Sequence, residues 1–95
     1  MEMSKAHDSL SREVVIVNEL GLHARSAAKI AAIASDAKSQ VYISRDGESV
    51  DAKSIIDMLT LACAKGVRIT ITVDSGKDAG ILSRIVDLVE DGFGE

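Results

Sequence analysis

A histidine and an arginine two positions apart, His23 and Arg25, are the residues best suited to group-transfer chemistry. They follow Gly21, which can adopt the positive φ of a sharp turn. A helix that begins here places His23 at its N-cap, beside unpaired N–H groups that bind anions. Imidazole is a nucleophile, and arginine can donate two parallel hydrogen bonds to a phosphoryl group. These residue types allow a phosphoryl acceptor at His23, contacted by Arg25, with Ala24 and Ser26 in the cradle; by themselves they also allow a surface histidine that only caps the helix.

A second candidate is Ser54, which lies three residues before Asp57 in the pattern of a helix capping box. A serine N-cap stabilises a helix by about 1 kcal/mol. Long apolar side chains follow Ser54 too closely for all of them to face a core, and an exposed apolar patch beside a reactive site is typical of a docking surface. The predicted docking surface comprises Leu22, Lys53, Ile55, Ile56 and Leu59. Lys53 and Arg25 give it a basic rim that suits acidic partners.

Hydrophobic periodicity predicts the elements that position these residues, in the order β-α-β-β-α-β-α. They are a strand at 14–17, a helix from 24 to about 37, strands at 41–44 and 49–51, a helix from 54 to about 64, a strand at 67–73 and a helix at 81–89. Asp46-Gly47 indicates a hairpin turn. One-sided apolar helices cover one face of a sheet, and alternating strands leave the other face wet. We expect an α+β open-faced sandwich, a four-stranded antiparallel sheet with three helices on one face.

Composition narrows the class of protein. The 95 residues suit one domain, 13–95, after a polar N-terminal extension, 1–12, that we expect to be flexible and to hold an inert His7. A net charge of −4 and scarce aromatic residues argue against a nucleic-acid partner. The single Cys63 fits a reducing compartment, and no apolar run resembles a signal peptide or a membrane span. We expect a cytoplasmic monomer without membrane contact, bound metal or other cofactor.

Two motifs extend these inferences. Residues 18–25, NELGLHAR, resemble the active-site signature of the histidine-containing phosphocarrier (HPr) family of the bacterial sugar phosphotransferase system. Residues 50–55, VDAKSI, resemble the segment around the regulatory serine of the same family. Gly66 before the last strand and the ending GFGE at 92–95 are also similar, so that the resemblance spans about 13–95.

The resemblance implies the HPr fold and a carrier role rather than an enzyme's. His23 is expected to receive a phosphoryl group on Nδ1 from the phosphoenolpyruvate-dependent enzyme I and to pass it to a sugar-specific enzyme IIA domain. Arg25 is expected to contact that group. The resemblance also implies phosphorylation of Ser54 by an ATP-dependent HPr kinase/phosphorylase, and docking of the donor and acceptor proteins on the apolar surface. The resemblance also suggests that Glu95 lies near the active site, but the sequence does not fix its position.

One position departs from the family, which usually has proline where this chain has Ser26. Serine loses the fixed φ of proline and adds an N–H and a hydroxyl beside the phosphoryl site. We expect Ser26→Pro to leave phosphorylation of His23 intact. Two alternatives stay open: the nitrogen-related carrier of the same system, and a regulatory binding module that acts through phosphorylated Ser54 with His23 idle. A hydrolase of acyl phosphates would need a water-activating group beside Arg25, and the sequence shows none.

Overall fold

A computed structural model describes residues 9–95 of the chain, and His7 with the rest of 1–8 lies outside the described residues. The described elements are β1 (Leu10–Val15), α1 (Ala24–Ala34), β2 (Val41–Arg45), β3 (Glu48–Asp51), α2 (Ile55–Leu59), β4 (Arg68–Val73) and α3 (Ala79–Glu90), with short 3-10 turns at Gly76–Asp78 and Gly92–Gly94. The predicted element order and the predicted fold class are both confirmed.

The sheet runs in the order β1-β4-β2-β3, and every neighbouring pair is antiparallel. β4 lies inside the sheet, where it pairs with β1 on one side and β2 on the other. β2 and β3 form the predicted hairpin, in which Asp46 and Gly47 have φ of 51° and 85°. Positive φ at both central residues is the turn geometry that matches the twist of paired strands.

The core lies between one face of the sheet and the helices. Alternate residues of β4 (Ile69, Ile71 and Val73) are buried, while the residues between them are partly exposed. The helices supply their apolar stripes to the same core: Ala27, Ile30, Ala31 and Ala34 from α1, Met58 from α2, and Ile81, Leu82, Ile85, Val86 and Val89 from α3. This packing fixes the start of α1 relative to the sheet.

The sheet begins earlier than the sequence indicated. Residues 10–12 were expected to belong to a flexible extension, but they pair with 71–73 of β4. Ser11 Oγ and Thr72 Oγ1 lie 2.8 Å apart across the strands. The side chains of Ser11 and Arg12 are polar and exposed, so they lack the apolar alternation that indicates a strand. This part of β1 is held in the sheet by its backbone pairing. The domain therefore starts at or before Leu10.

α2 is shorter than predicted, since it ends at Leu59 instead of continuing to about residue 64. Arg45 explains the early stop. Its Nη1 donates to the carbonyl oxygens of Leu61 (2.8 Å) and Ala62 (2.7 Å), and Ala62 takes a left-handed φ of 53°. The chain therefore turns away after one and a half turns of helix and leads back toward the start of α1.

A buried carboxylate orders the turn between α1 and β2. Asp78, 2% exposed, accepts from the N–H groups of Lys38 and Ser39, both at 2.9 Å, and from Ser39 Oγ at 2.6 Å. The hydrogen bonds from the Lys38 backbone and the Ser39 hydroxyl hold the pKa of Asp78 below its ordinary value. Asp78 thus ties the N-terminus of α3 to a loop about forty residues away in sequence.

Candidate active site

The loop that leads into α1 depends on a glycine. Gly21 has φ +66°, and a Cβ placed there would lie 2.5 Å from the carbonyl oxygen of Cys63 and 2.9 Å from Cα of Ala64. The next residue, Leu22, donates its N–H to that same Cys63 oxygen at 2.8 Å. The loop is therefore pressed against the segment after α2, which fixes where His23 begins the helix.

His23 is the N-cap of α1, as the sequence predicted. Its backbone is extended (φ −116°, ψ −179°), and its carbonyl accepts the first helical hydrogen bond from Ala27 at 2.8 Å. The imidazole is 28% exposed and turns back over the first turn, so that Nδ1 lies 3.3 Å from the N–H of Arg25. Because an amide N–H can only donate, Nδ1 carries the lone pair. A nucleophilic nitrogen therefore faces the positive end of the helix.

The other ring nitrogen has a partner that the sequence did not identify. Nε2 of His23 lies 2.5 Å from Oε2 of Glu95, and Oε1 of Glu95 accepts from Nδ2 of Asn18 at 2.9 Å. The hydrogen bond from Asn18, and to a smaller extent that from His23, lowers the pKa of Glu95 below its ordinary value. An ionised carboxylate at this place keeps the ring proton on Nε2 and leaves the lone pair on Nδ1, where it accepts from the N–H of Arg25.

Glu95 reaches His23 because the chain before it makes a left-handed turn. Gly92, Phe93 and Gly94 have φ of 68°, 60° and 75°. The side chain of Phe93 is fully buried, and its carbonyl oxygen accepts from Nζ of Lys29 on α1 at 2.6 Å. Phe93 is a bulky residue in a conformation that disfavours one, so its burial and this hydrogen bond must hold the turn in place. No element pattern in the sequence revealed this contact.

The remaining residues predicted at the phosphoryl site fall into two groups. Ala24 and Arg25 are exposed in the first turn of α1, and the guanidinium has no hydrogen-bond or ion-pair partner within residues 9–95. Ser26 is fully buried, and its Oγ accepts from the N–H of His23 at 2.9 Å. The expectation that this hydroxyl lies beside the phosphoryl group is therefore wrong, since the Ser26 hydroxyl lies beneath the loop among backbone atoms.

Ser54 caps α2, which confirms the predicted cap. Its Oγ accepts from the N–H of Asp57 at 3.2 Å, and its own N–H donates to the carbonyl of Asp51 at 3.1 Å. The Ser54 N–H is thus satisfied by the backbone in place of the Asp57 side chain that a full capping box would use. The residue is half-buried at the edge of the exposed surface that follows it.

Most residues of the predicted docking surface are exposed. Ile56 is 76% exposed, and Ile55 and Leu59 are each 37% exposed, on a helix that packs against α1. The prediction is wrong for Leu22, which is 7% exposed and joins the core because its N–H is tied to Cys63. Leu20, at 71%, is exposed in its stead, in the loop that precedes His23. Lys53 is also exposed.

The described part of the chain holds neither a cluster of metal-binding side chains nor a membrane-spanning helix. Residues 9–95 contain no group of three histidine, cysteine or carboxylate side chains placed to bind a metal ion. Over the same range, the helices are all too short or too polar to cross a bilayer.

The chain is similar to known proteins in both sequence and fold. A family model described as the PTS HPr component phosphorylation site matches residues 10–91. The phosphocarrier protein HPr of Cupriavidus necator is 40% identical over 86 residues, 90% of this chain and 97% of the relative. The phosphocarrier protein NPr of Shewanella violacea is 38% identical over 87 residues, 90% and 94% of the two chains. The crystal structure of HPr-C-His from Thermoanaerobacter tengcongensis has a TM-score of 0.85 at 32% identity, over 90% and 97%. The chain belongs to the HPr family of phosphocarrier proteins of the phosphotransferase system.

Proposed function

We propose that His23 accepts a phosphoryl group on Nδ1 from enzyme I and passes it to an enzyme IIA domain. The observation that carries the proposal is the orientation of the imidazole. Nδ1 faces the N–H of Arg25 at the helix N-terminus, while Nε2 is held by Glu95 at 2.5 Å. A ring that is clamped on one nitrogen presents the other for attack.

The transfer step follows from these contacts. The Nδ1 lone pair attacks the phosphorus of the donor's phosphoryl group, the N–P bond forms, and the bond from phosphorus to the donor atom breaks with its electrons returning to the donor. Nε2 keeps its proton, which it shares with the Glu95 carboxylate, so the positive charge that develops on the ring is balanced nearby. The phosphoryl oxygens meet the first-turn amides and the guanidinium of Arg25.

Return of the phosphoryl group uses the same parts in reverse. The cradle lies at two exposed residues, Ala24 and Arg25, so the phosphoryl group stays open to solvent and to a partner. Binding that is strong in the transition state and modest in the phosphorylated form is what a carrier requires. This favours a carrier over an enzyme with a small-molecule substrate of its own.

The partners dock, on this proposal, beside His23 on the surface formed by Leu20, Ile55, Ile56 and Leu59. These side chains are exposed, and so are those of Lys53 and Arg25, which are proposed to form its rim. An apolar centre with a basic rim suits a partner surface that is apolar and acidic. Because the whole chain carries a net charge of −4, the basic rim is a local feature that orients the partner.

The test is phosphoryl transfer from phosphoenolpyruvate through enzyme I of the same organism. We expect one acid-labile phosphoryl group on the wild-type protein and none on His23→Ala, with onward transfer to enzyme IIA. Ile33→Ala, on the opposite end of α1 and only partly buried, serves as a control for altered helix packing. Acid-labile phosphate that persists in His23→Ala would rule the proposal out.

The alternative function is that of the nitrogen-related carrier of the same system, and one finding supports testing it. The Shewanella violacea relative is an NPr, and its identity to this chain is close to that of the Cupriavidus necator HPr. Parallel transfer assays with a sugar-specific enzyme IIA and with its nitrogen-related counterpart decide between the two branches. The faster acceptor defines the branch.

Phosphorylation of Ser54 is a second, compatible proposal. Its hydroxyl is at a helix N-terminus, where added negative charge is favoured, and it is only half-buried. Incubation with HPr kinase/phosphorylase and ATP is expected to give an acid-stable phosphate that Ser54→Ala abolishes. If only this acid-stable phosphate forms and enzyme I never labels His23, the chain is a regulatory binding module instead of a carrier.

A further inference from the structure

We propose that Ser26 is a positioning residue for phosphoryl transfer, because its hydroxyl locks the backbone of His23. The inference rests on the proposed function of His23, and it concerns a residue whose side chain does not face the phosphoryl group. It assigns to Ser26 a part in the reaction that depends on one buried hydrogen bond.

The hydroxyl of Ser26 connects three backbone groups. Oγ accepts from the N–H of His23 at 2.9 Å, and its single proton has two acceptors within reach, the carbonyl oxygens of Gly21 (3.2 Å) and His23 (3.1 Å). Ser26 is fully buried, so water does not compete for these bonds. Gly21 O also accepts from Nδ2 of Asn18, which in turn holds Glu95. The lock and the clamp on Nε2 therefore belong to one network.

The lock has two consequences for the reaction. First, the N–H of His23 is occupied, so the amides left for a phosphoryl group are those that follow, at Ala24 and, once Nδ1 is bonded to phosphorus and no longer accepts from it, at Arg25. Second, the φ of His23 is held near −116°, which aims the ring so that one nitrogen meets Arg25 and the other meets Glu95. Without the lock, the N-cap can rotate, and the ring spends less time in the reactive orientation.

The decisive variant is Ser26→Ala, with Ser35→Ala as its matched control. Ser35 lies at the other end of α1, where its Oγ donates to the carbonyl of Ala31 at 2.8 Å, so its loss tests a helix hydroxyl remote from the site. We expect the His23 amide to exchange faster with solvent in Ser26→Ala and to be unchanged in Ser35→Ala. The ¹⁵N shifts of the His23 ring are expected to move toward a mixture of tautomers in Ser26→Ala alone.

The rate of phosphoryl uptake from enzyme I is expected to fall about two- to tenfold in Ser26→Ala, as one net hydrogen bond allows. Ser26→Cys, which nearly preserves the volume and is a weaker acceptor, is expected to give an intermediate rate and serves if the alanine variant does not fold. Unchanged exchange of the His23 amide, or an unchanged rate with faster exchange, overturns the inference. A wild-type protein that enzyme I fails to label refutes the proposed function instead, and the amide exchange still reports on the lock.

Discussion

Replacing Gly21 by alanine tests whether the loop before His23 is as closely packed as described. The backbone cost of a left-handed φ at a non-glycine residue is about 1–2 kcal/mol. The new Cβ would also lie 2.5 Å from Cys63 O and 2.9 Å from Ala64 Cα, both of them backbone atoms that cannot rotate away. Forced displacement of packed groups costs a further ~1–3 kcal/mol. We therefore expect Gly21→Ala to lower the free energy of unfolding by about 2–5 kcal/mol.

Gly47→Ala is the matched control for this experiment. Gly47 also has a positive φ, +85°, but apart from its two chain neighbours no residue of 9–95 has an atom within 4 Å of its Cβ position. The Gly47→Ala variant is expected to lose only the part of the unfolding free energy that comes from the left-handed backbone, about 1–2 kcal/mol. Urea unfolding followed by circular dichroism gives both values, and uptake from enzyme I is measured on each folded protein.

The two variants should also separate in function. In Gly21→Ala the hydrogen bond from Leu22 to Cys63 must stretch and His23 must shift, so uptake slows, whereas Gly47→Ala keeps the wild-type rate. Equal losses of unfolding free energy in the two variants would refute the reasoning, because the close contact with Cys63 would then carry no cost.

Three further predictions concern Gly80, Asp78 and Glu95. Gly80→Ala, at an exposed position inside α3 with open space around its Cβ, is expected to raise the free energy of unfolding by about 0.5–1 kcal/mol, measured in urea. The lowered pKa of Asp78 stabilises the fold above the unfolded pKa of about 3.9, and this contribution disappears as the pH falls through the folded pKa. Asp78→Asn should therefore narrow the difference in unfolding free energy between neutral and acid pH, and an unchanged difference would contradict this. Glu95→Gln replaces a charged acceptor by a neutral one. We expect slower phosphoryl uptake by His23 and, in ¹⁵N spectra, a larger share of the tautomer protonated on Nδ1. Wild-type values of both measurements would exclude a role for the carboxylate.

The features that could be predicted from the sequence are those set by local chemistry. The alternation along β4 and the helical stripes of α1 and α3 follow from short-range periodicity, and the hairpin follows from Asp46-Gly47. The N-cap position of His23 follows from a glycine and a run of helix formers around it. These signals lie within a few residues of the structure they determine, so no knowledge of the folded chain is needed to read them.

The features that could not be predicted depend on contacts between distant segments. Arg45 ends α2 through carbonyls 16 and 17 residues away, and nothing in the local pattern of α2 indicates that stop. Leu22 looks like a surface residue until its N–H is seen bonded to Cys63. Ser26 reads as a substitute for proline, and only its burial shows that its hydroxyl faces the backbone.

His23 and Glu95 meet across 72 positions of the chain, one at the start of the first helix and the other after the last helix. The ring clamp therefore exists only when the entire domain has closed, because both flanking segments must already be in place. A partly unfolded or clipped molecule lacks the group that orients its imidazole. Because the proposed phosphoryl uptake needs an oriented ring, it is expected to be slower in molecules that are not completely folded.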